Sequence, residues 1–362
     1  MFDIALKIFL LVTPILCIPS NGYTARFQWF QFGYFSGSVS LLQFQFFQYG
    51  VIMLFLAALF DKPKRLIHDR YIGVLFFVYI LSIYFHPSTI QIFGNIFLGF
   101  LLYYLVINYT KNVKSVLKII IFVSLLNTIF AILQSCGIHL IYKPIPNIPN
   151  IIGLMVYKTQ LGIYQAIAIP ICWAVNPWLA IIPAVGLLFS KSATAIIAAI
   201  IGLTIFFRKE IPKLQSPPIL MSIVTIAGLF FLKSFHKFSI RLDVWVPTIE
   251  MIKKKLMHGY GFGNFEYTTL NDLVYPDPYS LYLGVAHAAG IFGLMALAAF
   301  IINKFRKFNN NTYVARGILA SCLILVFIGF GYSFLDYPRL AGTAIVLFGL
   351  STIMKQEDRP CL

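Results

Sequence analysis

The sequence predicts an all-α, polytopic membrane protein of about twelve transmembrane helices, with one long outer loop between spans nine and ten. Three observations predict it. Hydrophobic residues make up 59% of the 362 and charged residues only 11%, whereas soluble domains carry about a quarter. Apolar runs approaching the roughly 20 residues that a helix needs to cross a bilayer recur along the chain. The 28 Lys and Arg outnumber the 12 Asp and Glu, and they concentrate in alternate short loops. This balance, with a mean hydropathy of +0.84, excludes an ordinary soluble enzyme. Residues 1–362 read as a single integral membrane domain.

Polar breaks divide the chain into candidate spans at 5–20, 38–60, 71–86, 90–107, 116–136, 159–175, 177–190, 192–207, 217–232, 280–302, 317–334 and 340–354. The first, Ala5 to Pro19, has no small-x-small cleavage site and more spans follow it, so it reads as an uncleaved span and not a signal peptide. Between 159 and 207 only Asn176-Pro177 and Ser190-Lys191-Ser192 interrupt the apolar run, as tight turns. Loops 61–70, 108–115, 208–216 and 303–316 hold most of the short-loop cations. The intervening loops hold only Arg26, Lys143, Lys158, Lys191 and Arg339. Basic loops stay inside, which makes both termini cytoplasmic. No nucleic-acid-binding motif accompanies the net charge of +16. Cys17, Cys136, Cys172 and Cys322 sit in apolar segments as small core residues, and with Cys361 they show neither metal-ligand nor disulfide spacing.

The long loop, 233–279, carries five of the twelve acidic residues and six of the 28 basic ones. Leu242, Trp245, Ile249, Ile252 and Leu256 recur at helical spacing, opposite Glu250, Lys253 and Lys254. Pro247 either starts this helix or kinks it. A helix lying on the outer membrane surface is the plainest reading. It leads into His258-Gly259-Tyr260-Gly261-Phe262-Gly263, whose alternate glycines suit a strained turn or a close backbone approach to a ligand. No helix N-terminus follows, so this is weak as a phosphate loop. His287 lies two turns into the span at 280–302, among Gly284, Ala286, Ala288, Ala289 and Gly290, which suit close helix packing.

Four stretches within 150–300 together resemble the O-antigen ligase and polymerase superfamily of bacterial membrane glycosyltransferases. They are Gly153–Pro170, Ser190-Lys191-Ser192-Ala193-Thr194-Ala195, Arg241-x-x-x-Trp245 followed by Gly259-Tyr-Gly-Phe-Gly-Asn-Phe265, and Tyr279-Ser280-Leu-Tyr-Leu283 with Gly290-Ile-Phe-Gly293-Leu. The resemblance implies glycan transfer on the outer face of the bacterial inner membrane, without metal or soluble cofactor. The donor is an undecaprenyl-pyrophosphate-linked glycan, and the acceptor another glycan, a lipid A core or a protein hydroxyl. Such a transfer needs cations on the leaving pyrophosphate and a base for the acceptor hydroxyl.

By this resemblance Arg241 is the pyrophosphate clamp, since a guanidinium binds phosphate oxygens bidentately. Trp245, Gly259 and Gly261 belong to the same loop signature as substrate contacts. Lys191 and Arg339 are further cations for the donor, with snorkelling to the interface and an ion pair with Asp336 as their rival roles. The family's histidine base is replaced by Tyr279, a poor base at neutral pH with an ordinary pKa near about 10. Asp277 and His258 are the nearest substitutes, and Tyr279 keeps a capacity to stack on or hydrogen-bond a sugar. The absence of the histidine favours a polymerase over a ligase. Two rivals stand beside a glycosyltransferase: a transporter or flippase of polyprenyl-linked substrates, which predicts paired broken helices, and an inactive relative in an assembly complex.

Overall fold

The computed structural model describes residues 1–15, 38–86, 90–138, 151–155, 157–207, 235–262, 264–268, 274–275, 277–306, 312–336 and 338–357. Among them the protein is all-α apart from one small hairpin. In chain order the helices are α1 (Phe2–Ile15), α2 (Ser38–Leu59), α3 (Arg70–Phe85), α4 (Ile90–Tyr109), α5 (Val113–Ser135) and α6 (Lys158–Val175). There follow α7 (Ile181–Ser190), α8 (Ala193–Phe206), α9 (Phe235–Lys254), α10 (Leu281–Phe305), α11 (Tyr313–Gly329) and α12 (Pro338–Glu357). The hairpin pairs β1 (Tyr267–Thr268) with β2 (Val274–Tyr275), antiparallel, Tyr267 opposite Tyr275. Eleven of the twelve apolar segments delimited in the sequence coincide with helices; 217–232 lies outside the described residues.

Local chemistry sets the helix starts. Asp69, Asn112 and Thr312 cap α3, α5 and α11, each accepting a first-turn backbone N–H on its side-chain oxygen. Asn176 does the same for Trp178 in the 3-10 turn Pro177–Ala180 that leads into α7. Helix α6 is the centre of the bundle, buried at every position from Gln160 to Cys172. It accepts α11 at close range because Gly317 lies against the Pro170 carbonyl and Ser321 Oγ donates to Ile167 O at 2.7 Å. Large apolar side chains nevertheless remain exposed around the perimeter, among them Phe77 at 59%, Met295 at 60% and Leu188 at 67%. Among the described residues two helices, Val113–Ser135 and Leu281–Phe305, are long and apolar enough by themselves to cross a membrane.

The connections gather at two ends. At one, Met1 and Lys111 pair with Asp61, Lys64 N–H donates to Asn108 O at 2.9 Å, and Lys304 of α10 pairs with Asp69. At the other, α9 and the glycine turn after it meet the end of α3 and the starts of α8 and α10.

Helix α10 is not continuous. Gly290 has φ 66° and ψ −163°, a conformation essentially reserved for glycine, and it splits the helix in two. The glycine turn fills the break: Tyr260 N–H donates to His287 O at 2.8 Å, Gly261 N–H to Ala288 O at 2.9 Å, and Ile291 N–H to Leu256 O at 2.8 Å. Ser82 Oγ of α3 adds a second donor to Ala288 O. The small residues of 284–290 therefore admit a crossing backbone, a closer approach than the helix packing expected of them.

Candidate functional site

Helix α9 places Arg241. Of the apolar stripe read from the sequence, Leu242, Ile249 and Leu256 are 38–47% exposed, while Val244 and Thr248, on another face, are fully buried. Arg241, Val244 and Thr248 share one face at helical spacing, so the arginine turns toward the bundle. Pro247 lies inside the helix, and Thr248 Oγ bonds back to Val244 O at 2.6 Å in the turn it disturbs.

The guanidinium lies on Gly331. A Cβ there would sit 2.8 Å from Arg241 Nη1 and 3.6 Å from Thr194 Cγ2, so Arg241 and the first turn of α8 flank the same glycine. Burial lowers the pKa of the guanidinium, opposed by the charges of Tyr279, Asp277 and Tyr332. Among the described residues its side chain makes no hydrogen bond or ion pair.

The next turn of α9 holds the other wall. Trp245 Nε1–H donates to Pro278 O at 2.8 Å, fixing the segment 277–280. Asp277 is buried there, and its carboxylate accepts the Tyr279 N–H. Tyr279 has φ 51°, a left-handed conformation that costs a non-glycine residue of order 1–3 kcal/mol. Ser280 then caps α10. Three stretches remote in sequence, 190–195, 241–245 and 277–280, thus converge on Gly331.

The remaining expected residues fall elsewhere. His258 is exposed and stacks on His86 with ring centroids 5.7 Å apart, near Phe85. The N–H groups of Gly259 and Gly261 are spent on Lys255 O and Ala288 O, so the close approach these glycines permit is made to α10 and not to a ligand. A Cβ on Gly259 would stand 2.5 Å from His287 O. Lys191 closes α7 in a left-handed conformation, exposed, three residues before Thr194. Arg339 lies in the first turn of α12, and its side chain is outside the described residues. His287 is 1% exposed, stacked on Tyr260 at 4.8 Å and edge-on to Phe265, and its Nε2 finds no hydrogen-bond partner among the described residues.

Two members were not singled out in the sequence. Tyr332 is one of 20 tyrosines and lies at the end of an apolar run, with no spacing to mark it. Thr194 reads as one more small residue of a helix start. Beneath the first turn of α10, a largely apolar cavity of about 110 Å³ runs among α3, α4, α10 and α12, lined by Leu281 and Tyr282 near this site and by Phe300 and Tyr103 at the far side. No protein-family model matches the chain, and no curated protein matches it.

Proposed function

We propose that the protein is a polytopic membrane glycosyltransferase that uses an undecaprenyl-pyrophosphate-linked glycan, as a polymerase of a surface polysaccharide or an O-antigen-type ligase. One observation carries this reading: three of the four stretches of family resemblance meet around an arginine free of protein carboxylate pairing among the described residues. In the reaction the acceptor hydroxyl oxygen bonds the anomeric carbon. The bond to the pyrophosphate breaks, and its electron pair leaves with the polyprenyl pyrophosphate. Arg241 supplies charge where that leaving group develops it. Asp277, whose charge Arg241 senses, is the better-placed of the two candidate bases, since His258 lies beyond the glycine turn. The apolar cavity below the site offers room for part of an isoprenoid chain.

The test is turnover of native undecaprenyl-pyrophosphate glycan by the purified protein. Arg241→Ala is expected to abolish transfer, and Arg241→Lys to lose most of it, because a point charge does not replace a bidentate fork. Asp277→Asn is expected to lower kcat by about 10²-fold or more, the ordinary contribution of a general base. Tyr279→Phe retains turnover if the base is Asp277. A well-folded wild type with no turnover of any native donor would overturn the enzyme reading. A transporter or flippase is the second reading, favoured by the break in α10, since transporters bind substrate at such breaks.

A further inference from the structure

A second site lies at the Asp69 end, far from Arg241. There α3 packs mainly on α10 and α4 mainly on α12. A cleft of about 460 Å³ lies between α3 and α4. His68, Asp69 and Arg70 form its mouth, and Phe76 and Phe100 line its depth. Asp69 does not make the mouth anionic, because Lys304, the Tyr103 hydroxyl and the Tyr71 N–H all bind its carboxylate. Arg70 is exposed and forms no ion pair among the described residues. It stands at the first position of α3, where the helix dipole adds to its charge. The adjoining loop carries Lys62, Lys64 and Arg65, and Lys114 follows in the first turn of α5. Phe97 and Tyr104, each 44% exposed, continue the aromatic wall out to the perimeter.

A cationic mouth above an aromatic cleft open to the side matches one chemistry: a phosphate joined to a hydrocarbon chain. We propose that this cleft binds one anionic phospholipid, phosphate at Arg70 and His68 and acyl chain between α3 and α4. Basic recesses between transmembrane helices on the cytoplasmic side bind anionic headgroups in this way. The proposal rests on the membrane reading above, but not on glycosyl transfer.

Gly73 supplies the discriminating variant. It lines the cleft, and a Cβ on it meets nothing within 4 Å, so Gly73→Leu projects into the cleft without displacing protein. The test is native mass spectrometry of the detergent-purified full chain titrated with phosphatidylglycerol and phosphatidylcholine of matched chains. The wild type is expected to bind phosphatidylglycerol more tightly. Arg70→Gln should weaken that lipid about fivefold, the factor for one cation near an anionic headgroup, and leave phosphatidylcholine unchanged. Gly73→Leu should weaken both lipids while lipid-free thermal stability holds. Equal binding of the two lipids by the wild type overturns the proposal. So does undiminished phosphatidylglycerol binding by Gly73→Leu, which would put the lipid outside the cleft. Alkaline carbonate separates the two failures: release of the chain from membranes defeats the membrane reading itself, whereas a retained chain without lipid preference defeats this site alone.

Discussion

Arg241 and Lys304 are the two cations whose surroundings say most, and they behave oppositely. Arg241 faces Gly331, Asp277, Tyr279 and Tyr332 without a paired carboxylate among the described residues. Lys304 is 2% exposed and fully engaged by Asp69, Tyr103 and Thr352, the last at 2.6 Å. Removing one partner of a buried pair leaves the other uncompensated, at a cost of about 3–5 kcal/mol. Lys304→Met is therefore expected to destabilise strongly, and Lys304→Met with Asp69→Asn to recover much of that loss. Thermal unfolding of the single and double variants in detergent measures it, and equal losses in both would contradict the pairing. Burial pushes the Asp69 carboxyl up, but Lys304 and the hydroxyl beside it hold it below its ordinary value. The pair's contribution is thus complete above the unfolded carboxyl's pKa of about 3.9. It disappears as pH falls through the lower folded value, and wild-type melting should fall over that acid range more than the double variant's does. Arg241 stood out in the sequence through the resemblance of Arg241-x-x-x-Trp245 to the family's loop signature. The Asp69–Lys304 pair was not, because 235 residues separate its partners and each reads as an ordinary loop charge.

The two halves of α10 are held together by backbone outside the helix, and this decides which glycines tolerate change. Gly290→Ala forces a Cβ into a glycine-only conformation and against the Met257 carbonyl, and Gly259→Ala drives one into the carbonyls of His287 and Ala288. Each should cost upwards of about 1–3 kcal/mol. Gly73→Ala, in open space within α3, should instead stabilise slightly through helix propensity. A melting comparison of the three checks the order, and a Gly290→Ala protein as stable as wild type would show the break to be dispensable. Helix limits were legible because polar breaks bound the apolar runs. The break in α10 was not: a run of glycine and alanine reads alike for helix–helix packing and for a crossing strand of backbone. Nothing in 281–305 announces that its partner lies at 256–261. The inward turn of Arg241 on α9 was not legible for a related reason. Apolar periodicity marks a stripe, but the buried Val244 and Thr248 lie on another face, with the half-buried Arg241, and the more apolar stripe is left exposed.

Among the described residues, the cationic loops before α3 and before α5 and the end of α10 share the Asp69 end, and Arg241, the glycine turn and the 277–280 segment share the other. That partition was readable from the alternation of charge along the chain, since it needs no knowledge of packing. If basic loops face the cytoplasm, a membrane-impermeant maleimide added to intact cells should label Lys254→Cys and the native exposed Cys136, at the C-terminus of α5. Lys64→Cys, in a Cys136→Ser background, should label only after permeabilisation. Labelling of Lys64→Cys in intact cells would invert the orientation. The same arrangement bears on how the chain is made. Every group that completes the break in α10 comes from residues 82 to 261, ahead of the helix it serves. A ribosome therefore delivers the donors for His287 and Ala288 before those carbonyls exist, and the helix emerges to a template already waiting for it.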